Sequence, residues 1–221
     1  AVILAILGLL ASSLLVNRRT ITEVKSSFDE LASASRTLQE KISSNGRISD
    51  FFIRSYPELS GQLQTAKRVS IEGSTLRSTV TYLAELKQLL QRGGSLRILV
   101  SEPVPEVLAM QVFRSSSIKD PVMMTNDMNS QMAMMKSLAE KAQKEGQFEI
   151  KTMPYLASYS ILMIENDDGV SKIFVKLLPF QRAEKESPTF EIDSQHDTTW
   201  FSFFNDQFEK MWLESKSVLK K

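Results

Sequence analysis

The sequence predicts an α/β domain with a mixed, largely parallel sheet flanked by helices, behind an N-terminal transmembrane helix and a short coiled-coil stalk. Three observations carry this. Lys67-Arg-Val-Ser-Ile-Glu-Gly73, a leucine-striped helix ending at Gly93-Gly94, and Ser95-Leu-Arg-Ile-Leu-Val-Ser101 form a strand–helix–strand unit, which makes its two strands parallel neighbours. The run Ala1–Val16 is apolar and uncharged. Between them, Ile21, Val24, Phe28, Leu31, Ser35, Leu38 and Ile42 alternate spacings of three and four.

The apolar run spans roughly 24 Å as a helix, slightly short of a ~30 Å hydrocarbon core. A secretory signal would carry its basic residues before the run, whereas Arg18 and Arg19 come after it. Residues 1–19 are therefore read as a membrane anchor, truncated at its N-terminus. The basic pair places the rest of the chain on the cytoplasmic side. Residues 20–46 are read as a coiled-coil stalk, since so narrow a stripe suits a helix–helix seam, and Asn45-Gly46 ends it. Residues 47–221 form the α/β domain.

Within that domain a helical stretch is expected near residues 49–66, with Pro57 and Gly61 as interruptions. Ser74 and Thr75 are expected to cap a helix running to Arg92, with Leu76, Val80, Leu83, Leu86 and Leu90 on one face. Two more helices are expected at Pro105–Arg114 and Asn126–Glu145. Strands are expected at Phe148–Met153, Tyr159–Glu165 and Lys172–Leu178, with Asn166-Asp-Asp-Gly169 as a hairpin turn and a short extended piece near Phe190–Ile192. A last helix from Asp197 to Ser217 carries Phe204, Phe208 and Trp212 on its apolar side. Met124, Met128, Met132 and Met135 lie at helical spacing and are read as a core face, with an adaptable ligand or protomer surface as the alternative.

Composition narrows the chemistry. The chain has 221 residues, a formal net charge of +1, 42% hydrophobic and 24% charged residues, no cysteine and one histidine. The lack of cysteine excludes disulfides, thiolate metal sites and cysteine nucleophiles. Near-neutral charge argues against nucleic acid as a partner. No Walker loop, dinucleotide fingerprint or nucleophile elbow is present, and no cofactor is expected. Asp193, His196 and Asp197 are not read as a metal site, because two carboxylates and one imidazole in a loop are too little pattern.

The segments Ala66–Leu76, Leu89–Pro103, Phe148–Lys151, the hairpin after Pro154, and Phe208-Glu-Lys-Met-Trp212 in this order resemble the half-domain of the phospholipase D-like superfamily. The pattern is similar to single-copy, divergent versions found in bacterial sensor and regulatory proteins. That family's catalytic motif is H-x-K-x-x-x-x-D, in which period-two spacing aims a histidine nucleophile and a phosphate-binding lysine at one pocket. At the matching place this chain reads Ser158-Tyr-Ser160-Ile-Leu-Met-Ile-Glu165, so the resemblance implies a domain without hydrolase chemistry. His196 does not restore the motif, since Thr198 and Phe203 stand at the other two positions.

The resemblance implies a membrane-tethered, non-catalytic sensor or interaction protein, with a hydrolase of phosphodiesters or phospholipids and a purely structural scaffold as alternatives. The remnant pocket is expected near Ser74, Ser101, Ser158, Ser160 and Glu165. Expected partners are the lipid bilayer, further copies of the chain and a small or phosphorylated ligand, with nucleic acid not expected.

Overall fold

The structure, a computed structural model, describes residues 51–53, 59–144, 146–166, 169–181 and 187–220. The expected anchor, stalk and hairpin-turn tip lie outside the described residues, as do residues 49–50 and 54–58 of the helix expected at 49–66, whose Ile53 instead forms an isolated antiparallel bridge with Thr189. Among the described residues no helix is long and apolar enough to cross a membrane. They fall within one compact unit, Ser49–Lys221.

The unit is built on a seven-stranded mixed sheet flanked by helices, in the order β6-β5-β4-β1-β2-β3-β7. The strands are β1 (Ala66–Gly73), β2 (Ser95–Ser101), β3 (Phe148–Met153), β4 (Tyr159–Asn166), β5 (Ser171–Leu177), β6 (Thr189–Asp193) and β7 (Lys216–Lys220). β1 pairs β2 and β2 pairs β3 in parallel, as the strand–helix–strand reading requires. The other pairings, β1–β4, β4–β5, β5–β6 and β3–β7, are antiparallel. The expectation of a largely parallel sheet is corrected on this point. The short connection from Asn166 to Ser171 can join β4 and β5 only as antiparallel neighbours.

β2 reads as an almost continuous apolar run because helices cover both its faces. One face packs under α1 (Leu59–Thr65), α2 (Leu83–Gln91), α4 (Pro121–Ser137) and the short 3-10 turn after it. Val69, Ile71, Leu96, Ile98, Phe148, Ile150 and Phe174 belong to this layer. The opposite face, with Leu99, Met153, Ile161, Met163, Ile173 and Val175, is covered by α5 (Thr198–Glu214). Phe204, Phe208 and Trp212 recur every four residues on α5 and are buried there. The Arg97 guanidinium of β2 fastens α5: it donates to both oxygens of Glu209 at 3.0 and 2.7 Å and lies over the rings of Phe208 and Trp212.

α3 (Pro105–Arg114) forms over the residues expected from its proline start. α4 begins earlier than its methionine spacing suggests, because Asp120 caps it by accepting from the Val122 N–H at 2.7 Å and Pro121 occupies its first turn. Met124, Met128 and Met135 are buried, which bears out the core-face reading.

Two further corrections concern ends. The helix expected from Ser74 starts as a 3-10 turn only at Thr79, and α2 itself at Leu83. The four residues Thr79-Val-Thr-Tyr82 are β-branched or aromatic and resist α-helix. Side chains of distant helices satisfy the freed backbone instead: the Leu76 N–H donates to Gln131 Oε1 at 2.8 Å, and Gln111 Nε2 donates to the Ser74 carbonyl at 2.8 Å. The last helix stops at Glu214, and Lys216–Lys220, expected to continue or trail it, forms β7 against β3.

The α2–β2 turn is held from outside. Gly93 sits at φ +87°, and a Cβ on Gly94 would come within 2.9 Å of the Lys67 carbonyl oxygen. Gln147 then ties the turn to the start of β3. Its Nε2 donates to the carbonyls of Leu90 and Gly94 at 2.5 and 2.7 Å, while its Oε1 accepts from the N–H groups of Gln143 and Lys144. Gln147→Leu keeps the volume but leaves four backbone groups without this partner, so urea denaturation should show a loss of roughly 2–4 kcal/mol. A loss within error of zero would show that the amide is not the clasp.

Candidate functional site

The carboxyl end of β1 opens into a cavity of about 490 Å³ on the α2/α4 face of the sheet. Open α/β sheets commonly place ligands at this end of their parallel strands. Its floor is apolar, formed in part by Leu59 and Leu63 of α1 and Leu86 of α2. Its wall is hydroxylated, with Ser74, Thr75, Ser160, Ser187 and Thr189. Gln111, Arg114, Lys176 and Glu72 line it as well.

Register explains how these side chains meet. Ser160 of β4 lies directly across from Lys176 of β5, and Lys176 across from Thr189 of β6. A residue directly opposite another on an antiparallel pair shares its face. Gly73 of β1 belongs to the same face, since a Cβ placed on it would lie 4.0 Å from that of Ser160. Lys176 is only 4% exposed. Arg114, in the last turn of α3, donates to the carbonyls of Leu178 at 2.8 Å and Ala157 at 3.4 Å, and burial lowers its pKa from the ordinary guanidinium value. Arg77, also in the wall, is ion-paired with Asp127 of α4 at 2.8 Å.

Of the five residues expected to form a pocket, the structure brings Ser74 and Ser160 together in this cavity. Ser74 does not cap a helix, and its carbonyl accepts from Gln111 instead. Ser101 is buried at the end of β2, where its hydroxyl donates to the Tyr155 carbonyl at 3.0 Å and it lines a separate cavity of about 230 Å³. Ser158 is exposed just before β4 and lines neither cavity. Glu165 lies five residues along β4 from Ser160, about 17 Å away at strand rise, on the other face. It is ion-paired with Arg68 at 3.4 Å.

Sequence reasoning passed over Gln111, Lys176 and Glu72. The signal for Lys176 was a lysine inside the apolar strand Ile173-Phe-Val-Lys-Leu177. Glu72 stands in the same strand as Gly73, but alternation turns its carboxyl to the α5 face, where its register partners Leu99 and Ile161 belong to the apolar layer. Glu72 is 1% exposed, and neither carboxyl oxygen has a hydrogen-bond partner of good geometry. Burial pushes its pKa up from 4.5 to about 8, offset only in part by the main chain of Ile161. The phenols of Tyr155 and Tyr159 lie close enough that burial, followed by the Glu72 charge, raises them as well.

His196 is exposed in the loop before α5, with Nδ1 3.1 Å from Asp193 Oδ1. The Gln195 N–H, followed by His196, holds the Asp193 carboxyl below its ordinary range. Among the described residues no group of three metal-ligating side chains gathers.

No family model matches the chain, and no curated protein matches it. Among solved structures it is similar to TrmBL2, an archaeal chromatin protein with a novel mode of DNA binding, at a TM-score of 0.44 and 14% identity. The match covers 89% of this chain, which spans 66% of the length of that one. The expectation that excluded nucleic acid rested on net charge alone and is withdrawn. Net charge is a sum over the whole chain, and a sum near zero leaves room for local patches of either sign.

Glu72 gives stability a particular pH dependence. Its proton is held in the folded state up to about pH 8 and released on unfolding above about pH 4.5, so the folded state loses ground as pH rises through that window. The expected contribution is about 1.4 kcal/mol per pH unit, flattening above the folded-state value. Urea denaturation across this range should show Glu72→Gln to be more stable than the parent at pH 8, with that slope removed. Parallel pH profiles for the two proteins would refute it.

Proposed function

We propose that this chain is a membrane-tethered, non-catalytic sensor or interaction protein whose α/β domain is a degenerate phospholipase D-like half-domain, and that ligand binding in the cavity beneath α1 and α2 changes how copies of the chain associate. The observation that carries this is the cavity: it is walled by hydroxyls and a buried lysine, and among the described residues that line it there is no imidazole to serve as the resembled family's nucleophile. The lone histidine is exposed in the loop that leads into α5 on the opposite face. Lys176 supplies from β5 the positive charge that Ser160 lacks at the place where the resembled motif carries its lysine.

The route from ligand to association starts at α1. Leu59 and Leu63 are buried and line the cavity floor, and α1 comes after the expected stalk along the chain. A ligand that seats better against one placement of α1 than another biases that helix, and through it the stalk. The apolar residues 1–19 and the heptad of residues 20–46 support tethering and self-association, and Arg18 and Arg19 support a cytoplasmic domain.

The full chain in detergent should show no turnover of bis(p-nitrophenyl) phosphate or of phosphatidylcholine. Turnover abolished by His196→Ala would overturn the non-catalytic reading in favour of a hydrolase.

A further inference from the structure

The hydrogen bonds that the cavity leaves unmade define what it can hold. Buried polar atoms without partners are uncommon, because each has given up its water and gained nothing in return. Among the described residues five buried side-chain atoms lack a partner, and four of them belong to Glu72, Gln111 and Ser187, which all line this one cavity. The three residues are 1%, 5% and 7% exposed.

Those atoms call for a hydroxyl rather than an ion. Gln111 Nε2 donates to the Ser74 carbonyl at 2.8 Å, and turning the amide over would set carbonyl against carbonyl, so Oε1 is fixed as an acceptor. An anionic group has no proton to give it. The Ser187 hydroxyl can both donate and accept. The Glu72 carboxyl brings no charge at neutral pH, because burial pushes its pKa up to about 8. The basic side chains among the described lining residues are already engaged. Lys176 has a partner within the chain, Arg114 donates to the carbonyls of Leu178 and Ala157, and Arg77 is paired with Asp127. A cationic ligand would face these three cations with only a protonated acid to offset them. The remainder of the lining is largely aliphatic, with Ile71, Leu156, Leu162 and Leu178 adding to the leucine floor of α1 and α2.

We infer that the cavity takes a neutral aliphatic molecule with a hydroxylated head, the head donating to Gln111 Oε1 and reaching Ser187 Oγ while the carbon chain lies on the leucine floor. This rests on the reading of the cavity as a ligand site and names what that site selects. The volume of about 490 Å³ falls in the range that encloses small organic ligands. Glycerol satisfies the polar partners but leaves the apolar floor uncovered. An ionised fatty acid covers the floor but offers Gln111 no donor.

The test is thermal denaturation of the full chain in phosphatidylcholine nanodiscs at neutral pH, followed by circular dichroism. 1,2-Octanediol is compared with octanoate, octylamine and glycerol. The diol should raise the melting temperature at concentrations where the other three do not. Ser187→Ala removes a hydroxyl that has no partner, so it should fold at least as well as the parent yet bind the diol at least about threefold more weakly. Gln111→Met should weaken binding further. Comparing parent with variant cancels any action of the probes on the bilayer itself. Larger shifts from octanoate or octylamine, or equal ones from glycerol, would overturn the inference and leave the cavity a ligand site of another class. Diol shifts indifferent to both substitutions would overturn it by placing the diol elsewhere. No shift from any probe would overturn it together with the ligand role of the cavity. The non-catalytic reading stands or falls separately, on the phosphodiester assay.

Discussion

Everything in this domain is referred to the central strand β1, which pairs in parallel with β2 on one side and antiparallel with β4 on the other. Register in a sheet buried on both faces has no tolerance for a one-residue slip, because the slip exchanges every side chain between faces. With Ile71 opposite Ile98 and Leu162, the odd positions of β1 join the layer under α1, α2 and α4. The even positions Ser70 and Glu72 then face α5. Ser70 is used there, its hydroxyl accepting from Arg97 Nε at 3.1 Å as part of the clamp that holds α5 to the sheet. Glu72 finds no such partner and is kept protonated instead.

The same constraint builds the cavity. β1 ends in Gly73, which leaves open the space that a side chain would fill beside Ser160. Two successive antiparallel pairings then carry Ser160, Lys176 and Thr189 into one row across the sheet. The irregular segment after Gly73 runs along the cavity rim rather than coiling at once into a helix. Gln111 and Gln131, from two different helices, take up its backbone groups and make the rim a fixed surface.

Reading the residues in order recovered the features that depend on near neighbours. Pro105–Arg114 carries a proline start and an arginine in its last turn, and both signals are local. The strands β1 to β3 declare themselves by apolar runs ended with glycine or proline. Lys216-Ser-Val-Leu-Lys220 does not: as an edge strand, solvent-exposed along most of its length, it has no strong pattern, and only β3 beside it makes it a strand. The start of α2 is illegible in the sequence because no local side chain caps it, and the backbone of Ser74 and Leu76 ahead of it is held by glutamines 37 and 55 residues away. For the site, Ser74 and Ser160 were within reach because both stand at ends of recognisable strands. Ser158 and Glu165 were assigned from a motif spacing, and the strand's own alternation and start set them apart from the cavity.

From its sequence alone, the chain determines an α/β domain with a parallel β1–β2 pair, an apolar opening segment, a heptad, and the absence of a histidine–lysine pair at the resembled motif. Those properties come from residue identity and spacing along one stretch of chain. Tertiary structure decided that four of the six strand pairings are antiparallel, that the tail becomes β7, and that Lys176, Gln111 and the buried Glu72 line one cavity. The reason is physical: strand partners and buried neighbours are chosen by which apolar faces must cover one another, and that choice joins residues that no local pattern connects.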